Sequence, residues 1–336
     1  IRGIGGNRVA LLVDGVPLGD QFDVGSFSNA TRDFINAGFM RRAEILHGPA
    51  SALYGSSAIG GVVSLNSPDP RYLTGTAGSG GNLSTAWRGA DSSLHGTALH
   101  AIAGDQVGVL MGVSLRDGSE YDSAATETNL DTRQAKRRSA MLKLVADDPL
   151  GNSWTLGYYL QDSDVTSSLN SMLGAGRFRS TTALEGDDVY RMDLIKGEVG
   201  FGEPGGFIDS GYFRAYYGIT DIEQQTLDER GASSRPVSIE RLFVFKQDFH
   251  GVELNLQKTL IGSTFDHQLG FGIEYRHRDT EEYRDGLETS LVDGSQTNVL
   301  LGEVFPLRDF PLSESTEIGA YIEDAISIGD WTIIGA

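Results

Sequence analysis

Strict alternation of apolar and polar residues is the strongest periodic signal in this chain. Five runs show it, at 107–116, 139–146, 154–161, 252–257 and 268–276. Because successive side chains of a strand point to opposite faces, a period of two predicts strands with one apolar and one polar face. The pattern predicts roughly 10 to 12 such strands after residue 70.

Periodicity alone leaves two architectures open. In a soluble β-sandwich the apolar face packs into a core, whereas in an outer-membrane β-barrel it faces lipid and the polar face lines the lumen. Aromatic residues near the ends of alternating runs favour the barrel, because such residues form girdles at bilayer interfaces. They are Tyr158, Tyr159, Tyr216, Tyr217, Tyr275 and Trp331.

The predicted connections between strands are unequal in length. Segments 148–152 and 262–263 have the composition of short turns, whereas 117–136, 162–188 and 279–313 are long, polar and acidic. Short turns at one end of a sheet and long loops at the other are typical of outer-membrane barrels. The lengths therefore favour a barrel over a sandwich.

The first 70 residues have a different pattern. Two short apolar runs, 9–13 and 62–65, are separated by glycines and other turn residues rather than by regular alternation, and Asp14-Gly15 directly after the first run predicts a turn. The composition changes at Pro68-Asp-Pro70, which predicts one domain over 1–70 and a second over 71–336.

Charge and composition exclude several classes of function. The formal net charge is −19 with 46 acidic and 27 basic residues, which argues against a nucleic-acid partner. Only 6 of the acidic and 5 of the basic residues precede residue 71, so the excess negative charge belongs to the second domain. The chain has no cysteine, which excludes disulfides, thiol nucleophiles and thiolate metal sites.

Two motifs in the first domain resemble a known family. Arg41 to Val63 reads RRAEILHGPASALYGSSAIGGVV, and Val9 to Pro17 reads VALLVDGVP. As an ordered set they resemble the plug domain of TonB-dependent outer-membrane receptors. The resemblance implies an all-β fold, in which residues 1–70 form the C-terminal part of a plug and 71–336 the N-terminal half of a transmembrane β-barrel.

The strand count then predicts that the chain is part of a longer protein. A plugged outer-membrane transporter has about 22 strands, roughly twice the number predicted here. A half-barrel would leave unpaired backbone groups at two edges in lipid, where such groups cannot be satisfied. We therefore expect an incomplete antiparallel barrel, about half of a 22-stranded one.

The resemblance also implies residues that dock the plug to the barrel wall. Arg2 matches an arginine that in this family pairs with carboxylates of the wall, and Arg42, Glu44 and His47 lie on the signature strand. The family usually carries Arg or Lys at the position of His47. An ion pair there would be pH-sensitive, because histidine titrates near neutrality; a neutral hydrogen-bonding histidine is the alternative.

A second implied site is the apical loop of the plug, at 18–32, which in the family faces the substrate. Its most ligand-like side chains, and hence the substrate-binding candidates, are Phe22, Asp23, Phe27, Ser28 and Asn29. Heme receptors often carry a histidine in this loop, and this chain has none there.

The function implied is active import across the outer membrane of a Gram-negative bacterium, energised through the inner-membrane TonB complex. The cargo would be heme, a ferric siderophore or a similarly scarce nutrient, and heme is favoured because 302–328 is similar to barrel segments of heme and hemoglobin receptors. A passive outer-membrane porin and a soluble β-sandwich binding protein are the alternatives. No enzyme signature, metal-binding pattern or resident cofactor is predicted.

Overall fold

The computed structural model of this protein describes residues 3–22, 34–50, 54–55, 57–123, 129–262, 265–329 and 331–335. Across these residues the chain forms a small sheet, a large sheet and one short hairpin. None of the helices in the described ranges is long and apolar enough to span a membrane.

The small sheet is built by the first domain. Its strands are β1 (Val9–Val13), β2 (Val16–Pro17), β3 (Arg42–His47) and β4 (Gly61–Asn66), in the order β2-β1-β4-β3. Strands β1 and β4 run parallel, whereas the β1–β2 and β3–β4 pairs are antiparallel. The two apolar runs noted in the sequence therefore lie side by side at the centre of this sheet.

The β1–β2 hairpin closes through the two residues Asp14 and Gly15. Both have a positive φ, 46° and 82°, as a type I′ turn requires. This turn places the Asp14 carboxyl group at the tip of the small sheet. The sequence prediction of an Asp-Gly turn after β1 agrees with the structure.

A short helix connects the two sheets. Helix α1 (Pro70–Thr74) begins with proline at its first position, and the Asp69 side chain caps it by accepting a hydrogen bond from the backbone N–H of Arg71. Residues 75–77 form a 3₁₀ turn before the large sheet begins at Ser79.

The large sheet is an antiparallel meander in which nearly every strand pairs with its neighbours in sequence. Its first strands are β5 (Ser79–Arg88), β6 (Ser93–Ala103), β7 (Val107–Ser119), β8 (Thr132–Asp147), β9 (Ser153–Ser168), β10 (Ala183–Phe201), β11 (Ser210–Glu229), β12 (Val237–Ile261) and β13 (Asp266–Ser290). It continues through β17 (Ser313–Ile328) and β18 (Trp331–Gly335), with β14 (Gln296–Thr297) beside β13. Strands β15 (Val299–Leu300) and β16 (Glu303–Val304) form the separate hairpin. The 12 strands of this sheet confirm the predicted all-β fold.

The three longest connections of the large sheet, 120–131, 169–182 and 291–312, lie at the same end, which also carries the shorter connections 89–92 and 230–236. The connections 104–106, 148–152, 202–209 and 262–265 define what we call the turn end. The connections 120–131, 169–182, 230–236 and 291–312 define the loop end. The long polar segments were predicted too wide, because β9 continues to Ser168 and β13 to Ser290.

The extra strand length has a physical cause. Strand β12 has 25 residues and is therefore about 80 Å long, whereas a membrane strand needs only about 9 to 11 residues. Beyond the apolar stretch both faces of the strands carry polar side chains, so the hydrophobic alternation disappears while the backbone ladder continues. Sequence periodicity marks only the apolar part of each strand.

The apolar side chains lie on the outer face of the large sheet, away from the plug. Several are 40% exposed or more, among them Trp154, Leu156, Phe213, Val252 and Ile273. A soluble sandwich would bury this face, whereas a membrane barrel presents it to lipid. The arrangement therefore favours the barrel alternative.

The inner face of the large sheet curves around the small sheet. Gly38 of the first domain lies against Thr97 on β6, and the backbone carbonyl of Tyr54 accepts a hydrogen bond from Arg276 on β13. These two strands are seven steps apart, about 34 Å if the sheet were flat, whereas the four-stranded small sheet is only about 15 Å wide. Apolar residues from both domains, including Val16, Phe34, Leu110 and Leu194, share one buried core.

Candidate functional site

The carboxyl group of Asp14 is the centre of the contact between the two domains. It is buried and accepts hydrogen bonds from the backbone N–H of Ser67 at 2.8 Å, from the Ser67 hydroxyl at 2.6 Å and from the Tyr159 hydroxyl. The ammonium group of Lys143, on β8, lies 3.4 Å from Oδ2. One plug carboxylate is thus held by its own domain and by two strands of the wall.

A second set of contacts surrounds the same turn. The Lys196 ammonium donates to the backbone carbonyl of Asp14 at 2.8 Å, and Arg214 donates to the carbonyl of Gly15 at 3.2 Å. Glu198 accepts from Lys196 at 3.3 Å and from Arg214 at 2.8 Å, which neutralises part of their charge. A Cβ added at Gly15 would lie 2.4 Å from the Arg214 guanidinium, so only glycine allows this approach.

The charges around Asp14 keep its carboxyl group ionised. Burial alone raises its pKa, but the ammonium groups of Lys143 and Lys196 and the hydrogen bonds from Ser67 and Tyr159 lower it by more. The net result is a pKa below the usual value of about 4. Stabilisation from this group is therefore complete above the unfolded-state pKa and is lost as the pH falls through the lowered folded-state pKa.

We accordingly expect the plug to stay docked from neutral pH to about pH 5 and to loosen only below about pH 4. The free energy of unfolding of the plug, measured across this range, should fall at the acid end. In the Asp14→Asn variant this acid-dependent loss should be smaller, because that residue no longer titrates. An equally steep acid loss in the variant would show that other groups control docking.

The charges in the described docking contacts are distributed between plug and wall in the opposite way to the prediction. A plug arginine pairing with wall carboxylates was expected, but in the ion pairs between the described residues of the two domains the plug supplies the carboxylate and the wall supplies the cation. The backbone N–H of Asp20 also donates to Gln247 of the wall at 2.6 Å. Beyond the Asp14 contacts, Arg278 on β13 pairs with the carboxylate of Asp20. Arg276 donates to the carbonyl of Tyr54 at 3.1 Å.

The four residues predicted to dock the plug are placed as follows. Arg2 lies outside the described residues. Arg42 and Glu44 pair with each other at 3.2 Å on the exposed β3 strand, and Glu44 also accepts a hydrogen bond from Asn66 of the plug. His47 is exposed at the end of β3. A docking role for these residues stays a prediction.

Of the predicted substrate-binding residues, Phe22 is the one that the structure describes. Its ring stacks on Phe245 of β12, with ring centroids 4.9 Å apart, and meets Phe310 edge-on at 5.6 Å. The chain thus rises from the Asp14 turn at the turn end to Phe22 nearer the loop end. Asp23, Phe27, Ser28 and Asn29 lie outside the described residues, so the apical site stays a prediction.

Above Phe22, toward the loop end, the inner face of the large sheet borders a cavity of about 940 Å³. Strands β8 to β13 line it, together with Asn298, Phe305 and Pro306 from the segment that precedes β17. Gly286 lets this segment pack closely, since a Cβ there would lie 2.4 Å from Leu300. The volume is at the upper end of the roughly 300 to 1,000 Å³ typical of ligand pockets.

Sequence reasoning missed the residues that make the docking contact. Asp14 was interpreted only as a turn residue, and Lys143 and Lys196 were not singled out. A signal did exist for Lys143, which interrupts the apolar residues Leu142 and Leu144 at a position on the inner face. What the sequence could not supply was its partner, which is 129 residues away along the chain.

Comparison with known proteins agrees with this architecture. Residues 1–62 match the family model described as the TonB-dependent receptor plug domain. The chain is 37% identical over 93 residues to a vitamin B12 transporter, BtuB, of Vibrio vulnificus, covering 28% of this chain and 14% of the relative. It is 39% identical over 73 residues to a hemin receptor of Yersinia enterocolitica, covering 22% and 10%.

Solved structures are similar over almost the whole chain. The unliganded ferric citrate transporter FecA superposes with a TM-score of 0.61 at 18% identity, covering 98% of this chain and 46% of that one. The ferric yersiniabactin uptake receptor FyuA from Yersinia pestis gives 0.56 at 13% identity, covering 95% and 53%. The chain thus spans about half the length of these structures and a smaller share of the curated relatives.

These findings bear on two of the predictions from the sequence. The two curated relatives are named as a transporter and a receptor, not as enzymes. The plug match and the shared fold of small sheet and antiparallel wall confirm the resemblance noted in the sequence. Residues 1–62 thus match the plug domain of TonB-dependent receptors, and the fold of almost the whole chain is similar to that of solved receptor structures.

Proposed function

We propose that this chain is the plug and part of the barrel of an outer-membrane receptor that actively imports a scarce nutrient, heme or a ferric siderophore, with energy supplied through TonB. The observation that carries the proposal is the plug held inside the curved wall by Asp14, Lys143 and Lys196. A plug fixed by ion pairs and hydrogen bonds can be displaced and then return to the same contacts.

Three further observations support this function. The exposed apolar outer face suits lipid of the outer membrane, and the cavity of about 940 Å³ lies on the loop side of the plug. The similar proteins include hemin receptors and ferric-chelate receptors. A vitamin B12 transporter is also among the similar proteins, so cobalamin belongs in any test of cargo.

The passive porin is the alternative that needs a direct test. A porin would carry an open aqueous channel, whereas here the inner face between the turn end and the cavity packs against the plug in a shared core. The soluble sandwich is disfavoured by the exposed apolar face. A receptor and a porin differ in whether uptake needs energy.

We expect cells carrying the receptor as the organism makes it to accumulate hemin or a ferric siderophore only when TonB and the proton gradient are intact. Iron-starved growth and uptake of radiolabelled iron measure this, with a TonB-deficient strain as the control. We also expect no large open current from the purified receptor in planar bilayers. Uptake that is independent of TonB, together with a large steady conductance, would support the porin instead.

A further inference from the structure

The segment between β13 and β17 folds back along the inner face of β13, and we call its residues 296–312 the strap. The hairpin of β15 and β16 belongs to a small buried cluster, in which Leu300 and Phe305 of the strap meet two residues of β12. Below the hairpin, the backbone of Leu307 exchanges two hydrogen bonds of 2.9 Å with the backbone of Arg284 on β13. The strap is therefore docked on the wall by backbone and apolar contacts.

The strap also joins the outer cavity to the plug. Phe305 and Pro306 line the cavity of about 940 Å³. A few residues further along the strap, the ring of Phe310 meets the ring of the plug residue Phe22, with centroids 5.6 Å apart. Lifting the strap would therefore change the wall of the cavity and the contact with the plug together.

A carboxyl group is buried beneath the strap. Glu282 on β13 is 1% exposed, and its direct partner across the sheet is Phe245, on which Phe22 of the plug stacks. The Oε2 atom of Glu282 accepts a hydrogen bond from the backbone N–H of Asp309 at 2.6 Å, whereas Oε1 has no hydrogen-bond partner within the described residues. The carboxyl group thus lies beside aromatic rings with one oxygen unpaired.

The charged groups next to Glu282 are bound to other partners. From the strap, Arg308 donates to the carboxylate of Glu281 at 2.8 Å and to the backbone carbonyl of Glu282 at 2.7 Å. Asp309 of the strap forms an ion pair with Arg284 of β13. Neither guanidinium therefore neutralises the buried carboxyl group.

The other two elements packed here, β12 and the plug, supply no counterion among the described residues. The inner-face positions of β12 within 243–247 are phenylalanine or glutamine, and the next inner-face charge on that strand, Arg241, lies beyond this stretch. The plug carboxylate nearest in sequence to Phe22, Asp20, is already paired with Arg278. An ionised Glu282 would thus be a buried charge without a direct partner.

These surroundings favour the neutral form of Glu282. The residue lies beyond Tyr275 toward the loop end, outside the apolar stretch of β13 that faces lipid. Burial raises its pKa, and the Asp309 carboxylate adds to this, while the Asp309 N–H and the two arginines lower it by less; the net pKa is raised. A neutral carboxyl group also costs less than a carboxylate to bury without a counterion.

We propose that Glu282 is a proton-binding site that controls docking of the strap: the carboxyl group carries a proton from solvent beneath the docked strap and releases it when the strap lifts into water. This device is independent of which cargo the cavity holds. Docking is then strongest below the ordinary glutamate pKa of about 4.3 and weakens as the pH rises through the raised pKa of the docked form. The sign is opposite to that of the Asp14 contact, which weakens in acid.

Hydrogen exchange of the full receptor tests the proposal, with each amide rate divided by its intrinsic rate at the same pH. We expect the backbone amides of Leu307 and Arg284 to be about 3- to 10-fold better protected at about pH 5.5 than at about pH 8, since one proton changes the docking equilibrium by at most about tenfold per pH unit. The ladder between β12 and β13 within the apolar stretch should show no such change.

Two variants separate Glu282 from its neighbours. Glu282→Gln has the shape of the protonated side chain and cannot ionise, so its strap should be equally protected at both pH values. Glu281→Gln is the matched control: it removes the adjacent carboxylate that binds Arg308, and it should lower the protection but keep its pH dependence. The inference is overturned if the unmodified receptor shows no pH dependence, or if Glu282→Gln retains the same dependence.

Infrared spectroscopy gives a second readout that does not depend on movement of the strap. At about pH 5.5, well above the ordinary pKa of glutamate, the unmodified receptor should show the C=O band of a protonated carboxyl group that Glu282→Gln lacks. Identical bands in the two proteins would mean that Glu282 is ionised beneath the strap, and this result would overturn the inference.

Discussion

Replacing Asp14 by asparagine should destabilise the plug by about 3 to 5 kcal/mol, the cost of removing one partner from a buried ion pair. Asparagine keeps the shape of the side chain and is favoured in the type I′ turn, so the hairpin itself should survive. The loss arises because Lys143, only 12% exposed, has no other carboxylate partner among the described residues. Its buried ammonium group would then remain without a countercharge.

The measurement is hydrogen exchange of the backbone amides in β1 and β4 of the full receptor, which should become about 150- to 5,000-fold faster. Glu44→Gln is the matched control, since it removes a plug carboxylate that is 54% exposed and should cost no more than about 1 kcal/mol. Adding Lys143→Gln to Asp14→Asn should restore part of the lost stability. If Asp14→Asn and Glu44→Gln behave alike, the Asp14 contact does not hold the plug.

The architecture could be predicted from the sequence because its signals are local. Period-two alternation identified strands such as β7 and β9, and an Asp-Gly pair after an apolar run identified the β1–β2 turn. The short turn at 148–152 was correctly distinguished from the long connections. Each of these features depends on neighbours in sequence, and a single chain is sufficient to read them.

The ends of the strands could not be predicted for the opposite reason. Asp162 and Asp164 were interpreted as part of a polar loop, whereas they lie on β9 and pair with Arg138 of β8. The backbone ladder with a neighbouring strand, and cross-strand ion pairs of this kind, keep such residues in a strand. Those partners are distant in sequence, so the local pattern gave no indication of them.

The docking contact was hidden by the same limitation. The resemblance directed attention mainly to cationic residues of the plug, but the described ion pairs between the domains join plug carboxylates to wall cations. Asp20 illustrates this: it lies in a segment with no periodic signal, and its partner Arg278 is 258 residues away. Only the folded chain brings the two residues together and shows which domain supplies the carboxylate and which the cation.

A disulfide between the plug and the wall should abolish import while leaving substrate binding intact. Gly19 of the plug lies directly against Thr220 on β11: a Cβ built at Gly19 would be 2.8 Å from the Thr220 Oγ1 atom. Adding one C–O bond places the two Cβ atoms within about 4.2 Å, inside the 3.5 to 4.5 Å that a disulfide needs. The chain has no other cysteine, so Gly19→Cys with Thr220→Cys can form only this bond within it.

The reason for the expected block is that the proposed import cycle requires the plug to leave the wall. Covalent attachment at Gly19 fixes the segment between the Asp14 turn and Phe22, which lies in the path from the outer cavity to the turn end. In the proposed function the substrate binds in the cavity above this segment, so binding should not need release of the segment. The two single-cysteine variants cannot form the bond, and both should import normally.

Uptake of radiolabelled iron by cells carrying the double-cysteine receptor, before and after reduction, shows whether the plug must leave the wall during import. Hemin and ferric siderophores serve as probes, and a gel shift records the fraction of receptor that is cross-linked. We expect cells with the oxidised receptor to bind the probe but to accumulate no iron, and a reducing agent to restore uptake to the level of the single variants. Undiminished uptake by fully cross-linked receptor would contradict this expectation.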